Sequence, residues 1–167
     1  MENQKKRSTG NLSKRIISLA KARSMTVSGA ESCTGGLIAK LLTDVPGSSS
    51  VFCGACVTYT NEIKMKLLGV APDVIEAHTE VSFACAEAMA VGARQAMQTD
   101  IAYSTTGYAG PGGGTEADPV GTVYVGIATD RGTQSYRLSL PQDATRKQIR
   151  QAAAIFVLQK IADTMQH

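Results

Sequence analysis

The segment Val27-Ser28-Gly29-Ala30-Glu31-Ser32-Cys33-Thr34-Gly35-Gly36 puts a hydroxyl where a short, half β-branched run gives way to a helical pattern. A serine at such a junction can act as a nucleophile. Leu37, Ile38, Leu41 and Leu42 recur at helical spacing after the glycines, so Ser32 lies at or beside a helix N-terminus. Unpaired backbone N–H groups and the positive end of the helix dipole favour an anion there, whether a phosphate or a developing oxyanion. The same residues also suit a plain cap, with Ser32 or Thr34 satisfying an N–H and Gly35-Gly36 turning the chain.

A serine nucleophile needs a base, and the chain has only two histidines, His78 and the terminal His167. Lys64 can serve if it is held neutral, as burial or a nearby positive group would do. Tyr59 at a strand end and Lys64 one turn into the next helix can face a common point, with Tyr59 positioned to hold the amine, while Lys66 points elsewhere. Taken singly, Lys64 also reads as a solvated helix lysine and Tyr59 as an aromatic at the core edge.

A third candidate loop is Gly107-Tyr108-Ala109-Gly110-Pro111-Gly112-Gly113-Gly114. A dinucleotide fingerprint would open a helix, whereas these glycines run through Asp118-Pro119 into a strand, and no Walker lysine follows. The loop suits either a surface turn or a nest that lets backbone approach a substrate.

The elements that must position these loops follow from periodicity and punctuation. Asn11 is placed to cap a first helix carrying Leu12, Ile16 and Leu19, behind a polar tail over residues 1–11 that includes Lys5-Lys6-Arg7. Strands are predicted at 26–30, 51–59, 101–106, 122–129 and 134–140, and helices after Gly36, at 61–68, 72–77, 82–97 and 144–165. This alternation predicts an α/β fold, a three-layer α/β/α sandwich with a mostly parallel mixed sheet and a terminal hairpin, as one domain over 12–167. In such sheets the crevice lies beyond the carboxyl ends of parallel strands, where the loops after Ala30, Tyr59 and Thr106 would emerge.

Composition narrows the function classes. The 167 residues carry 17 basic and 14 acidic side chains, a balance that argues against a nucleic-acid partner, and no run approaches the roughly 18 apolar residues of a membrane helix. A cytoplasmic protein is expected. Cys33, Cys53, Cys56 and Cys85 lack the ligand pattern of a metal site, and Cys53 and Cys56 fall in a run that reads as a central strand. Buried reduced thiols are therefore expected, with no metal and no cofactor.

Four ordered motifs together resemble the CinA carboxy-terminal family of nicotinamide-nucleotide amidases, over roughly residues 12 to 164. They are Ala30-Glu31-Ser32-Cys33-Thr34-Gly35-Gly36, Val57 to Lys64, Gly107-Tyr108-Ala109-Gly110-Pro111-Gly112-Gly113 and Pro119-Val120-Gly121-Thr122-Val123. The resemblance implies metal-free hydrolysis of the carboxamide of nicotinamide mononucleotide to nicotinic acid mononucleotide and ammonia. It implies Ser32 as nucleophile, Lys64 as base and Tyr59 beside them. It further implies substrate contacts from Cys33, Thr34, Gly35, Gly36, Asn61, Thr106, Gly107, Gly110, Gly112 and Arg146, oxyanion binding by first-loop amides, and a homodimer or higher oligomer. The chain departs from the family pattern at Tyr108, at Thr79-Glu80 where Gly-Ala is usual, and at Ala144-Thr145 where Gly-Asp precedes the arginine. Those departures keep a second reading open, a weakly active or inactive domain that binds a pyridine nucleotide for regulation.

Overall fold

The computed structural model describes the backbone of residues 2–166 and side chains from Gly10 onward. The first helix, α1 (Glu2–Arg23), begins well before Asn11, so the segment read as a tail continues as helical backbone. The chain then runs through β1 (Val27–Glu31), α2 (Leu37–Thr43), β2 (Phe52–Val57), α3 (Asn61–Leu68), α4 (Pro72–His78) and α5 (Phe83–Met97). It closes with β3 (Ile101–Gly107), β4 (Thr122–Thr129), β5 (Gly132–Ser139) and α6 (Arg146–Thr164).

The five strands order as β2-β1-β3-β4-β5. β1 pairs in parallel with both β2 and β3, while β4 is antiparallel to β3 and β5. Four strands thus point one way and β4 the other, as expected for the mixed sandwich. Helices α1, α2 and α6 cover one face, and α5 with α3 and α4 the other.

Alternation along β3 shows how the sequence makes both layers. Ile101 and Tyr103 enter the core shared with Ile16, Ile38, Leu42, Ile149 and Val157, whereas Ala102 joins Cys85, Met89 and Leu68 on the opposite face. The alanine-rich α5 approaches that second face closely: a Cβ on Gly126 would lie 2.4 Å from the Ala86 carbonyl oxygen. On the first face, the Tyr103 ring lies across Gly29, its register partner, where a Cβ would fall 2.1 Å from the ring. Glycine at 29 is therefore what lets Tyr103 reach the end of β1.

The structure corrects the reading of 51–59. β2 is an edge strand and stops at Val57; Cys53 is exposed and Cys56 only half-buried, whereas Cys33 and Cys85 are buried. An apolar run is compatible with an edge strand because its inner face alone needs burial. No helix among the described residues is long and apolar enough to cross a membrane.

Candidate active site

Because β1 lies between two parallel neighbours, the loops after Glu31, Val57 and Gly107 leave the same end of the sheet side by side. The first loop is fixed at both ends. The Ser32 N–H donates to the Thr105 carbonyl at 3.0 Å, and the Thr34 and Thr105 hydroxyls meet at 2.8 Å. The N-terminus of α6 supplies the third support, where the Arg150 guanidinium donates to the Thr34 carbonyl at 2.7 and 3.2 Å.

Glu31 organises the loop from below. Its carboxylate is fully buried and accepts from the N–H groups of Gly36 (2.9 Å), Ile38 (3.3 Å) and Ala39 (2.8 Å) and from the Tyr103 hydroxyl (3.0 Å). A carboxylate at a helix N-terminus satisfies both the orphan donors and the dipole. This overturns the expected role of the helix-terminal amides of Gly36 and its neighbours, because Glu31 already takes them. The Gly35 and Leu37 N–H groups are also used, by Ser32 and Thr34 carbonyls. Among the described residues the Cys33 and Thr34 N–H groups take no carbonyl or carboxylate partner, and the Cys33 N–H meets its own thiol.

Thr60 caps α3, accepting from the Ile63 N–H at 3.3 Å, and sets the phase of a helix whose inner face carries Lys64 and Leu68. Lys64 is 1% exposed. Its Nζ donates to the Thr58 carbonyl at 3.1 Å and to Ser32 Oγ at 3.3 Å. Lys66 is exposed. Burial holds the Lys64 amine below the ordinary lysine range, opposed by the neighbouring Cys85, Glu80 and Cys33. Burial also pushes the Cys33 thiol up to about 12 and the Cys85 thiol up to about 11. Both thiols are neutral at pH 7, so Glu80 is the neighbour that supports an ammonium.

A cavity of about 180 Å³ is lined by Ser32, Cys33, Tyr59, Lys64, Glu80, Thr106, Gly107, Tyr108 and Arg146, with Val81 and Ala109. The sequence-derived set therefore converges in part. Ser32, Lys64, Tyr59, Cys33, Thr106, Gly107 and Arg146 line the cavity, but Thr34, Gly35, Gly36, Asn61, Gly110 and Gly112 do not. Thr34, Gly35 and Gly36 serve the turn behind Ser32, Asn61 opens α3, and Gly112 is exposed. Gly110 acts one step back, its carbonyl accepting from Arg146 at 2.7 Å.

Tyr59 also differs from expectation. Its hydroxyl accepts from Arg146 at 2.8 Å, not from Lys64, and the side chain is 59% exposed. Arg146 is the first residue of α6, where a cation sits at the unfavourable end of the dipole, and both its hydrogen-bond partners are neutral. Thr106 lines the cavity while its hydroxyl is given to the Glu80 carbonyl.

That last bond belongs to a turn the sequence reading did not assign to the site. Thr79 has φ 67° and ψ 167°, a region essentially confined to glycine. Its carbonyl accepts from the Ser82 hydroxyl at 3.0 Å, and its own hydroxyl donates to the Val81 carbonyl. A non-glycine residue in this conformation is the local signal that the turn is held for a purpose. A larger cleft of about 500 Å³ lies between the β4–β5 hairpin and α6, lined by Tyr136, Lys160 and Asp163, and contains none of the candidate residues.

A buried lysine against a serine hydroxyl can perform acyl transfer through a hydroxyl nucleophile. Comparison with known proteins agrees with the motifs. The CinA C-terminal domain family model matches residues 9–165. A CinA-like protein of Shewanella denitrificans is 52% identical over 133 residues, which cover 80% of this chain and 31% of that relative. A CinA-like protein of Synechocystis sp. is 52% identical over 123 residues, covering 74% and 30%. The chain thus spans about a third of the length of these relatives. The crystal structure of competence/damage inducible protein CihA from Agrobacterium tumefaciens superposes with a TM-score of 0.91 at 35% identity, covering 96% of both chains. That of a competence or damage-inducible protein from Enterobacter asburiae gives 0.89 at 28% identity, covering 94% and 98%. With a family match that runs nearly end to end and the same fold in solved relatives, this chain belongs to the CinA C-terminal domain family.

Proposed function

We propose that this domain hydrolyses the carboxamide of nicotinamide mononucleotide, giving nicotinic acid mononucleotide and ammonia. The observation that carries the reading is the 3.3 Å contact between Lys64 Nζ and Ser32 Oγ, made by a lysine that burial biases toward the neutral amine. A neutral lysine beside a hydroxyl is a base; a solvated ammonium is not.

In the first step Lys64 takes the Ser32 proton as Oγ attacks the carboxamide carbon. The oxyanion that forms is received by the backbone N–H of Cys33, which lines the cavity and turns from its own thiol to the oxyanion. Lys64 then returns the proton to the amide nitrogen, the C–N bond breaks, and ammonia leaves an ester on Ser32. Water, deprotonated by the same amine, attacks the ester, and Ser32 recovers its proton. The Thr58 carbonyl keeps the amine aimed at Oγ through both cycles.

The cavity, half open to solvent, has a volume of about 180 Å³, smaller than the roughly 300–1,000 Å³ that surrounds drug-sized ligands, so it suits the pyridine head alone. The ribose phosphate then extends to the rim, where Arg146 holds an uncompensated positive charge. Ammonia release measured across nicotinamide mononucleotide, its riboside and free nicotinamide tests the assignment. The mononucleotide is expected to be the preferred substrate. Absence of ammonia with all three, together with a melting temperature raised by the mononucleotide, would instead support a binding domain without turnover.

A further inference from the structure

Glu80 brings the one carboxyl group to the lining of the cavity, and the proposed acyl-transfer steps do not use it. It lines the cavity with Ser32, Lys64 and Tyr108, and Arg146, itself exposed, lines the same cavity. Among the described residues the two ion pairs are Lys40–Asp44 and Arg137–Asp118, and the Glu80 carboxylate takes no hydrogen bond. A half-buried carboxylate without a hydrogen bond, whose cationic neighbour Lys64 is biased by burial toward the neutral amine, favours a further cation beside it.

The backbone beneath it is fixed with unusual effort. Thr79 adopts its glycine-like conformation directly before Glu80, the Thr79 carbonyl is held by Ser82, and the Glu80 carbonyl is held by Thr106 from the end of β3. These bonds connect the turn to β3, the strand whose following loop completes the cavity. The backbone of Glu80 is thereby tied to the site, and its side chain starts from a fixed point on the cavity lining.

We propose that Glu80 determines specificity by recognising the positive charge of an N-substituted pyridinium carboxamide. The inference rests on the function proposed above and adds the feature of the substrate that the enclosed end of the cavity reads. Substitution on the ring nitrogen makes the ring a cation, and the carboxamide that reaches Ser32 is attached to that ring. With the carboxamide at Ser32 the charged ring lies in the cavity that Glu80 and Tyr108 line, while the phosphate extends toward the exposed Arg146. Free nicotinamide, with a neutral ring, forfeits this attraction as well as the phosphate contact. Glu80 thus acts on binding of the ring, and Arg146 on binding of the phosphate. Lys64 also senses the Glu80 charge, which favours its ammonium form, so a cationic ring that offsets the carboxylate favours the neutral amine needed for the first step.

The test uses the full chain carrying Ser32→Ala, which binds without turning over, and calorimetric titration with nicotinamide mononucleotide and with its reduced 1,4-dihydro form. The two ligands share ribose and phosphate and differ in ring charge. The oxidised form is expected to bind about tenfold tighter, the size of effect for opposite charges in a partly enclosed site. Adding the isosteric Glu80→Gln should collapse that preference to within about twofold while leaving the affinity for the reduced form unchanged. Glu80→Ala provides a second variant, expected to show the same collapse. Equal binding of the two ligands by the Ser32→Ala protein, or a preference that survives both substitutions, overturns the assignment of Glu80 and leaves the amidase reading standing. Failure of both ligands to bind overturns the amidase reading and this inference with it.

Discussion

Glu31→Gln isolates what the buried carboxylate contributes, because it changes charge and donor pattern at constant shape. One carboxylate oxygen accepts from the Ala39 N–H and the Tyr103 hydroxyl, and the other accepts from the Gly36 and Ile38 N–H groups. A glutamine offers one acceptor oxygen and one NH₂ donor. With its oxygen toward Gly36 and Ile38, the NH₂ confronts the Ala39 N–H, although the Tyr103 hydroxyl can turn to accept. With its oxygen toward Ala39 and Tyr103, the NH₂ confronts two N–H groups. The better orientation therefore leaves one backbone donor unsatisfied and removes the charge from the remaining bonds. An unsatisfied buried donor costs about 1–3 kcal/mol, and weakening charge-assisted bonds adds to that, so about 3 kcal/mol is expected. For a domain of this size that corresponds to a fall of about 6–12 °C in melting temperature. The readouts are thermal unfolding and ammonia release measured at a temperature where both proteins remain folded. Activity should fall by more than tenfold in kcat, because the α2 N-terminus that follows Ser32 relaxes. A melting temperature within about 2 °C of wild type would refute the reasoning, since the four acceptor roles could not then matter as described.

Four further outcomes follow from the same geometry. Lys64→Met is expected to abolish turnover yet raise stability. Because the folded-state pKa is below the unfolded one, wild type binds fewer protons when folded and gains stability as pH rises from that lowered value toward 10.5. The advantage of Lys64→Met should thus be largest near neutral pH and shrink toward pH 10.5, as chemical denaturation at several pH values would show. Arg146→Ala is expected to raise KM for nicotinamide mononucleotide by more than tenfold with a smaller change in kcat, since a charge-assisted phosphate contact is worth about 1.5–3 kcal/mol and lies far from the reacting amide. Tyr59→Phe should produce a weaker version of the same KM effect, because its hydroxyl serves Arg146; a loss confined to kcat would return Tyr59 to the amine. The double variant Cys53→Ala, Cys56→Ala should keep kcat within about twofold, since neither thiol lines the cavity and Cys53 is exposed.

What was legible in the sequence is what periodicity and punctuation control. The alternation of Ile101, Ala102 and Tyr103, the glycine after Leu68 and the capping residues Ser82 and Thr145 mark elements that the structure reproduces within a few residues. The approach of Ser32 to Lys64 was legible too, because parallel strands with β1 between its neighbours bring their loops together. Long-range choices of partner were not legible. Nothing local says that Tyr59 turns to Arg146, 87 residues away, or that Arg150 reaches the Thr34 carbonyl. The edge position of β2 is likewise a property of sheet order, invisible in the run 51–57. Nor was Glu31 legible as the partner of the α2 amides, since it ends β1 well before α2 begins at Leu37 and reaches them only because the loop folds back over it. Glu80 stood out only as a departure from the family pattern; the Thr79 backbone that places it beside the cavity is not a local property of the sequence.

The central claim is that Ser32, activated by Lys64, carries out amide hydrolysis. Its most direct test is ammonia release from nicotinamide mononucleotide by wild type and by Ser32→Ala in parallel, with calorimetry confirming that both bind the nucleotide. Removing an 8%-exposed hydroxyl leaves no sizeable cavity, so the variant should fold and bind as wild type does. Ammonia stoichiometric with nicotinic acid mononucleotide from wild type, and at least a thousandfold less from Ser32→Ala, is the expected result. Comparable rates from the two proteins would contradict it.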